Sequence, residues 1–261
     1  MLVFLKKPYQ KGIPSAPGDE TEETMFKKIS GYFSKGELIL WCVSVLLIVI
    51  SFCAFDRASY ITLAASLIGV TSLIFNAKGN PFGQVLMILF SLLYGMISFA
   101  FSYYGEMLTY LGMTMPMAVV ALIAWLKHPF GESKSEVRVN SVGKEETCLM
   151  LLLTTAVTVC FYFILDFFHT PNLLPSTISV TTSFLAVYLT FRRSPLFALA
   201  YAANDVVLII LWSLASMTEK RYLSVVVCFS AFLANDIYGF ISWQKMKNRQ
   251  QKAARDTAGA A

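Results

Sequence analysis

The chain has 261 residues, 56% of them hydrophobic and 14% charged, with a formal net charge of +5. Soluble domains are nearer a quarter charged, so this composition excludes a large soluble core and points to a polytopic membrane protein. The basic excess lies outside the apolar runs, which suits contact with anionic lipid and excludes a nucleic-acid partner.

In chain order, residues 1–37 form a polar tail of mixed charge that lacks the pattern of a cleavable signal peptide. Apolar spans are then expected at 38–55, 60–76, 81–103, 106–127, 146–168, 176–191, 195–218 and 221–245. Most reach the roughly 17–25 residues that cross a bilayer. A polar loop, 128–145, separates the fourth span from the fifth, and a basic tail, 246–261, follows the eighth. The sixth span is rich in hydroxyls (Ser176, Thr177, Ser179, Thr181, Thr182, Ser183). Such groups suit helix packing or a cavity wall better than contact with lipid.

Eight spans put both termini on one side. That side carries six Lys in the first tail, Lys78, four basic residues in 127–145, Arg192, Arg193, and five from Lys245 through the last tail. Only Arg57, Lys220 and Arg221 fall on the other. The positive-inside rule therefore places both termini in the cytoplasm. The five cysteines are scattered and form no Cys-x-x-Cys pair, and His128 and His169 are isolated. Neither a disulfide framework nor a metal site is expected, and no motif calls for a cofactor.

The third span opens with Asn80-Pro81 and the seventh with Ser194-Pro195. Asn and Ser are good N-caps and Pro suits a first helical turn. Superposing the prolines sets Ser91 on Asp205 and Ser98 on Trp212, and Trp125 falls near Trp243 with a four-residue drift. The order implies two three-helix units of the same orientation, 58–127 and 176–245, joined by a linker helix at 146–168. The first span, 38–55, is an addition outside this 3+1+3 core.

Candidate chemistry gathers on the second unit. Asp205 and Asp236 are acids deep in spans seven and eight, each after an Asn and each seven residues before a Trp. A carboxylate there is costly and marks a functional site by default. At 1.5 Å per residue both lie roughly 13–15 Å from the cytoplasmic ends, at one depth. Span three offers Gln84, Ser91 and Ser98 at seven-residue spacing, with Tyr94 between them. The expected substrate-binding set is Gln84, Ser91, Tyr94, Asn204, Asp205, Trp212, Asn235, Asp236 and Tyr238. Amides, hydroxyls, carboxyls and aromatic rings around one volume suit a small polar solute that contains a ring. Several of these residues also have a plainer role, Asp205 and Asp236 least readily, since the spans offer no cation to pair them. Asn204 and Asn235 suit hydrogen bonds between helices, Ser91 and Tyr94 suit packing, and Trp125 and Trp243 suit interface anchoring.

The segment Asn235-Asp236-Ile237-Tyr238-Gly239-Phe240-Ile241-Ser242-Trp243 resembles the Asn-x-Tyr-Gly-aromatic-x-x-Trp motif of the PnuC family of bacterial nicotinamide riboside transporters. The resemblance covers about residues 58–247, and the first unit keeps Ala124-Trp125 of the motif. It implies an all-α, SWEET-like fold in the bacterial inner membrane, with no catalytic role. It also implies facilitated diffusion of nicotinamide riboside by alternating access, trapping by a cytoplasmic kinase, and a homo-oligomer, a trimer by likeness to the family. Related transporters imply thiamine or riboflavin as alternative cargo. Another alternative, from a different class, is a membrane enzyme that uses Asp205 and Asp236 as a carboxylate pair.

Overall fold

A computed structural model describes residues 31–131, 135–170 and 172–259. The tail before residue 31 and the last two residues lie outside this range, as do the expectations made for them. Two units separate by backbone contacts, Met1–Ile39 and Leu40–Ala261. In the first, Ser34 and Glu37 form a reciprocal capping box. The Ser34 N–H donates to Glu37 Oε2 at 2.7 Å and the Glu37 N–H to Ser34 Oγ at 3.3 Å.

The described residues contain eight helices long and apolar enough to cross a membrane. They are α1 (Lys35–Phe55), α2 (Tyr60–Ala77), α3 (Phe82–Ala100), α4 (Tyr104–Lys127), α5 (Lys144–Phe167), α6 (Leu173–Phe191), α7 (Leu196–Ser216) and α8 (Leu223–Gly259). Two differ from the sequence reading. α8 runs on to Gly259 through the segment expected as a basic tail, because its Ala, Lys, Arg and Gln are strong helix formers with no Pro to stop them. α4 starts at Tyr104 and contains a π turn at Thr109–Thr114.

α2, α3 and α4 pack in sequence, as do α6, α7 and α8. Contacts of α8 with α2 and of α4 with α6 close the six into a ring. The other two helices lie across its seams. α1 spans the α2–α8 seam. The Trp41 indole donates to Thr71 Oγ1 on α2 at 3.2 Å, and Asn235 of α8 donates to Ser44 Oγ at 2.9 Å. α5 packs on α6, where Thr158 and Thr181 hydroxyls lie 2.9 Å apart, and its buried Leu165 sits against Gly105 of α4.

The two proline turns match residue for residue. Asn80 N–H donates to the Phe75 carbonyl and Ser194 N–H to the Leu189 carbonyl, both at 3.0 Å, and each pair is 114 residues from its counterpart. Gly79 (φ +65°) and Arg193 (φ +57°) supply the left-handed residue that ends the preceding helix. Pro81 and Pro195 then adopt nearly the same backbone angles, φ −55°, ψ −24° and φ −54°, ψ −22°.

Above these turns the halves are clasped. The Trp125 indole, on α4, donates to the Thr190 carbonyl of α6 at 2.9 Å. The Trp243 indole, on α8, donates to the Asn76 carbonyl of α2 at 2.7 Å. Thr190 and Asn76 are also 114 residues apart, so each three-helix group reaches for the same place on the other. The two rings lie 5.4 Å apart and Phe197 packs edge-on to Trp243 at 4.8 Å. Both Trp residues are fully buried. This corrects the reading of them as interface anchors, since sequence position marks depth but not which way the ring faces.

Gly83 sits at the tightest point of this end. A Cβ there would lie 2.2 Å from Asn76 Oδ1 and 2.8 Å from the Asn76 backbone nitrogen. Gly112, in the π turn, has nothing within 4 Å of a Cβ. Gly83→Ala is therefore expected to destabilise the protein by about 1–3 kcal/mol, and Gly112→Ala to change stability by less than about 0.5 kcal/mol. Thermal unfolding of both variants in detergent checks this; equal midpoints would contradict it.

Candidate functional site

Inside the ring lies a narrow cavity of about 20 Å³ to which all six ring helices contribute. α2 supplies Gly69 and Leu73, α3 Met87 and Phe90, and the π turn of α4 Tyr110 and Thr114. α6 supplies Ser183, α7 Tyr201, Asn204 and Asp205, and α8 Phe229, Phe232 and Asp236. α1 and α5 contribute nothing. The volume admits about one water, whereas pockets for small organic ligands run to roughly 300–1,000 Å³. A solute fits only if the ring widens.

The polar floor belongs to α7 and α8. Asn204 Oδ1 accepts from Thr182 Oγ1 at 2.8 Å, Ser183 Oγ at 3.1 Å and Ser179 Oγ at 3.4 Å. The hydroxyl-rich α6 thus saturates the amide oxygen. The Asp205 and Asp236 carboxyls interact directly with one another. Asp205 Oδ2 has no hydrogen-bond partner meeting strict geometry. The cavity lining includes no Lys, Arg or His, so two adjacent acids stand in a low-dielectric site with no cation beside them.

Aromatic clusters lie beyond the lining on both sides. On the side to which α8 extends is the Trp125–Trp243 clasp, which Phe197 joins to the lining residue Tyr201 at 6.2 Å between rings. On the opposite side the buried Trp212 packs against Tyr103 at 4.8 Å, Tyr222 at 5.5 Å and Phe101 at 6.4 Å. The Arg221 guanidinium lies over the Phe101 ring at 4.8 Å.

Of the nine expected site residues, Asn204, Asp205 and Asp236 line the cavity. Gln84 instead donates to Asn76 Oδ1 at 2.9 Å, within a network that includes Ser72 and the Gly83 carbonyl. Tyr94 and Trp212 belong to the aromatic packing outside the lining, and their rings are 6.3 Å apart. Ser91 is fully buried, and its hydroxyl has no partner. Asn235 turns away toward α1, donating to Ser44 Oγ and to the Ala231 carbonyl. Tyr238 is half-buried and is not part of the lining.

Several residues escaped the sequence reading. Tyr110, Tyr201, Phe229 and Phe232 form much of the wall, and in a chain with 14% aromatic residues nothing singles them out. Glu106 is another buried acid, 1% exposed, in the first turn of α4. Both its oxygens lack hydrogen-bond partners by strict geometry, and it lies against Ser179, the hydroxyl that also donates to Asn204. A span drawn from residue 106 sets it at the membrane edge. A helix that begins at Tyr104 and packs beneath α5 buries it.

Residues 59–245 match the family model described as nicotinamide mononucleotide transporter. A relative, the nicotinamide riboside transporter PnuC of Neisseria mucosa, is 26% identical over 200 residues, which is 75% of this chain and 76% of the relative. The crystal structure of the vitamin B3 transporter PnuC has the same fold, with a TM-score of 0.75 at 21% identity. The match covers 87% of this chain and 97% of that one.

The hydrogen bond from Asn235 to Ser44 makes a separable prediction. Asn235→Ala and Ser44→Ala are each expected to destabilise the protein, with a coupling of about 0.6–1.7 kcal/mol in a double-mutant cycle. Strictly additive effects on unfolding would show that the two side chains do not share a bond.

Proposed function

We propose a function from the premise that the chain belongs to the nicotinamide mononucleotide transporter family: it carries nicotinamide riboside across a bacterial inner membrane. The observation that supports this most is the acid pair Asp205–Asp236 in a cavity lining without a cation. Nicotinamide riboside brings the missing charge as its pyridinium ring. The Asn204 amide NH2 suits the carboxamide oxygen, the carboxyls suit the cationic ring and ribose hydroxyls, and Phe90, Tyr110, Phe229 and Phe232 offer faces for stacking. The mononucleotide of the family description fits the same lining poorly. Its phosphate adds negative charge beside two acids and meets no Lys, Arg or His there.

The two aromatic clusters support alternating access around this cavity. One cluster opens at a time, and the three-helix groups 58–127 and 176–245 rock against each other. The distribution of Lys and Arg supports cytoplasmic termini. Facilitated diffusion, with trapping by phosphorylation in the cytoplasm, fits a chain whose sequence offers no nucleotide-hydrolysing motif. The acid pair favours one other cargo. Thiamine also carries a cationic heterocycle, whereas riboflavin is neutral.

Uptake of labelled nicotinamide riboside into proteoliposomes tests the reading. Saturable uptake is expected, inhibited by excess unlabelled riboside and, more weakly, by thiamine, but not by riboflavin. Asp205→Asn and Asn204→Ala are each expected to weaken the apparent affinity at least tenfold, about 1.4 kcal/mol. Uptake insensitive to proton and sodium ionophores is expected for facilitated diffusion. Absence of uptake, or full affinity in both variants, would overturn the assignment.

A further inference from the structure

A second, larger cavity lies outside the membrane-spanning ring, between the segment 128–143 and the extension of α8. It measures about 520 Å³, within the roughly 300–1,000 Å³ typical of small-ligand pockets. Among the described residues its charged lining is Arg138 and Lys247, with no acid. Among the described residues neither cation is in an ion pair. Phe130 and the α8 residues Ala253 and Ala254 give it an apolar flank, and Ser141, Gln251 and Thr257 give hydrogen-bonding groups.

The positive charge here is in excess of its local neutralisation. Arg192 is paired with Glu146. Arg193, next to it, has Nε and Nη1 buried without partners. Burial and the charges of Arg192 and Arg138 hold the Arg193 guanidinium below its ordinary pKa. Arg138 and Lys247, in a groove whose described lining holds no acid, suit an oxyanion with several acceptor oxygens.

The groove is also fixed to the gate. The Val137 N–H donates to the Gly79 carbonyl in the α2–α3 turn, and the Asn140 N–H to the Arg193 carbonyl in the α6–α7 turn, both at 3.0 Å. The buried Gln250 of α8 accepts from the Val139 N–H at 2.8 Å and donates to the Val137 carbonyl at 3.0 Å. One strap thus ties together both proline turns and α8. Those turns directly follow Asn76 and Thr190, whose carbonyls receive the two clasping indoles.

We propose that this groove is a regulatory site for a phosphate-bearing anion with a planar ring, and that its occupancy holds the Trp125–Trp243 gate shut. The phosphate sits on Arg138 and Lys247, and the ring lies along Phe130 and the alanines of α8. A ligand wedged between strap and helix cross-links the elements that must separate for the gate to open. Thr257 lies 14 residues beyond Trp243 on one helix, about 21 Å. A headgroup layer is only about 5–8 Å deep, so a lipid reaches the Lys247 end, about 6 Å beyond Trp243, but not the Thr257 end, and a soluble ligand fills the groove better. The placement in the cytoplasm, and the reading that a phosphorylated form of the cargo acts as brake, rest on the proposed function; the binding site itself does not.

Calorimetric titration of the full-length protein in neutral-lipid nanodiscs with nicotinamide mononucleotide, adenosine monophosphate and inorganic phosphate tests the site without transport. Saturable, salt-sensitive binding of the nucleotides, tighter than that of phosphate, is expected. Binding should weaken at least tenfold in Arg138→Gln/Lys247→Gln, recover in part with Arg138→Lys, and remain in Asp205→Asn. In proteoliposomes, mononucleotide on the α8 side should slow uptake by the unmodified protein but not by the double variant, whose basal uptake is unchanged. Absence of nucleotide binding, unchanged binding in the double variant, or a charge-dependent effect of phosphatidylglycerol alone would overturn the proposal. If binding is lost in the double variant but the protein transports no riboside, the site stands and the transport assignment fails.

Discussion

The pair of crossed indole hydrogen bonds is the constraint from which the rest of the molecule is arranged. Each Trp is buried on its own three-helix group and spends its single donor on a carbonyl of the other group. Each of these carbonyls also accepts a backbone N–H of its own turn, Asn76 from Gly79 at 2.9 Å and Thr190 from Arg193 at 3.0 Å, so the indole takes the second lone pair. The need that the clasp meets is that of the indoles, since a buried N–H without an acceptor is costly. Separating the two groups here would leave both indoles without their acceptors together.

The acid pair sets the opposing demand. Two carboxyls without a cation are poorly tolerated in a closed, dry space, yet the cavity as it stands holds little more than a water. The ring can accept this because Asn204 is fully supported by three hydroxyls and the aromatic walls pack tightly around the acids. A cationic solute relieves the electrostatic strain only if Phe90, Phe232 and their neighbours move apart. Gly69 marks how little slack there is, since even a Cβ there would meet the Phe232 ring at 2.4 Å. On the proposed function, substrate charge and ring movement are thus coupled by packing. The π turn of α4 brings Tyr110 and Thr114 to the same wall, and π turns often occur at functional sites.

The legibility of this molecule follows what each signal measures. Long apolar runs report span number well, so eight helices appear, seven of them within about three residues of their expected limits. The Asn80-Pro81 and Ser194-Pro195 pairs report backbone geometry directly, and the two turns coincide. Asp205, Asp236 and Asn204 stood out because charge and amide groups at mid-depth are rare. Helical facing was not legible in the same way. Gln84 and Asn235 sit on helices of the ring, yet one turns to Asn76 and the other to α1, and those partners are 8 and 191 residues away in sequence. Glu106 was hidden by a boundary error of two residues.

The distribution of polar groups then explains why a repeated backbone carries an unrepeated site. The turns and the clasp are shared by both halves because they serve closure, which needs matching parts on either side. The cargo-facing polar groups are not shared. Asp205 corresponds to Ser91, and Asn204 draws its three donors from α6, whose counterpart α2 has Ala65, Ile68 and Gly69 at the equivalent places. Within the cavity lining the acids and the oriented amide come from the second half, while the first supplies Gly69, Phe90 and the Tyr110 ring. A planar, cationic solute has one charged, hydrogen-bonding edge and two apolar faces. An asymmetric cavity can fit all three at once, whereas a symmetric pair of acids in both halves would double the desolvation cost without adding a matching charge on the solute.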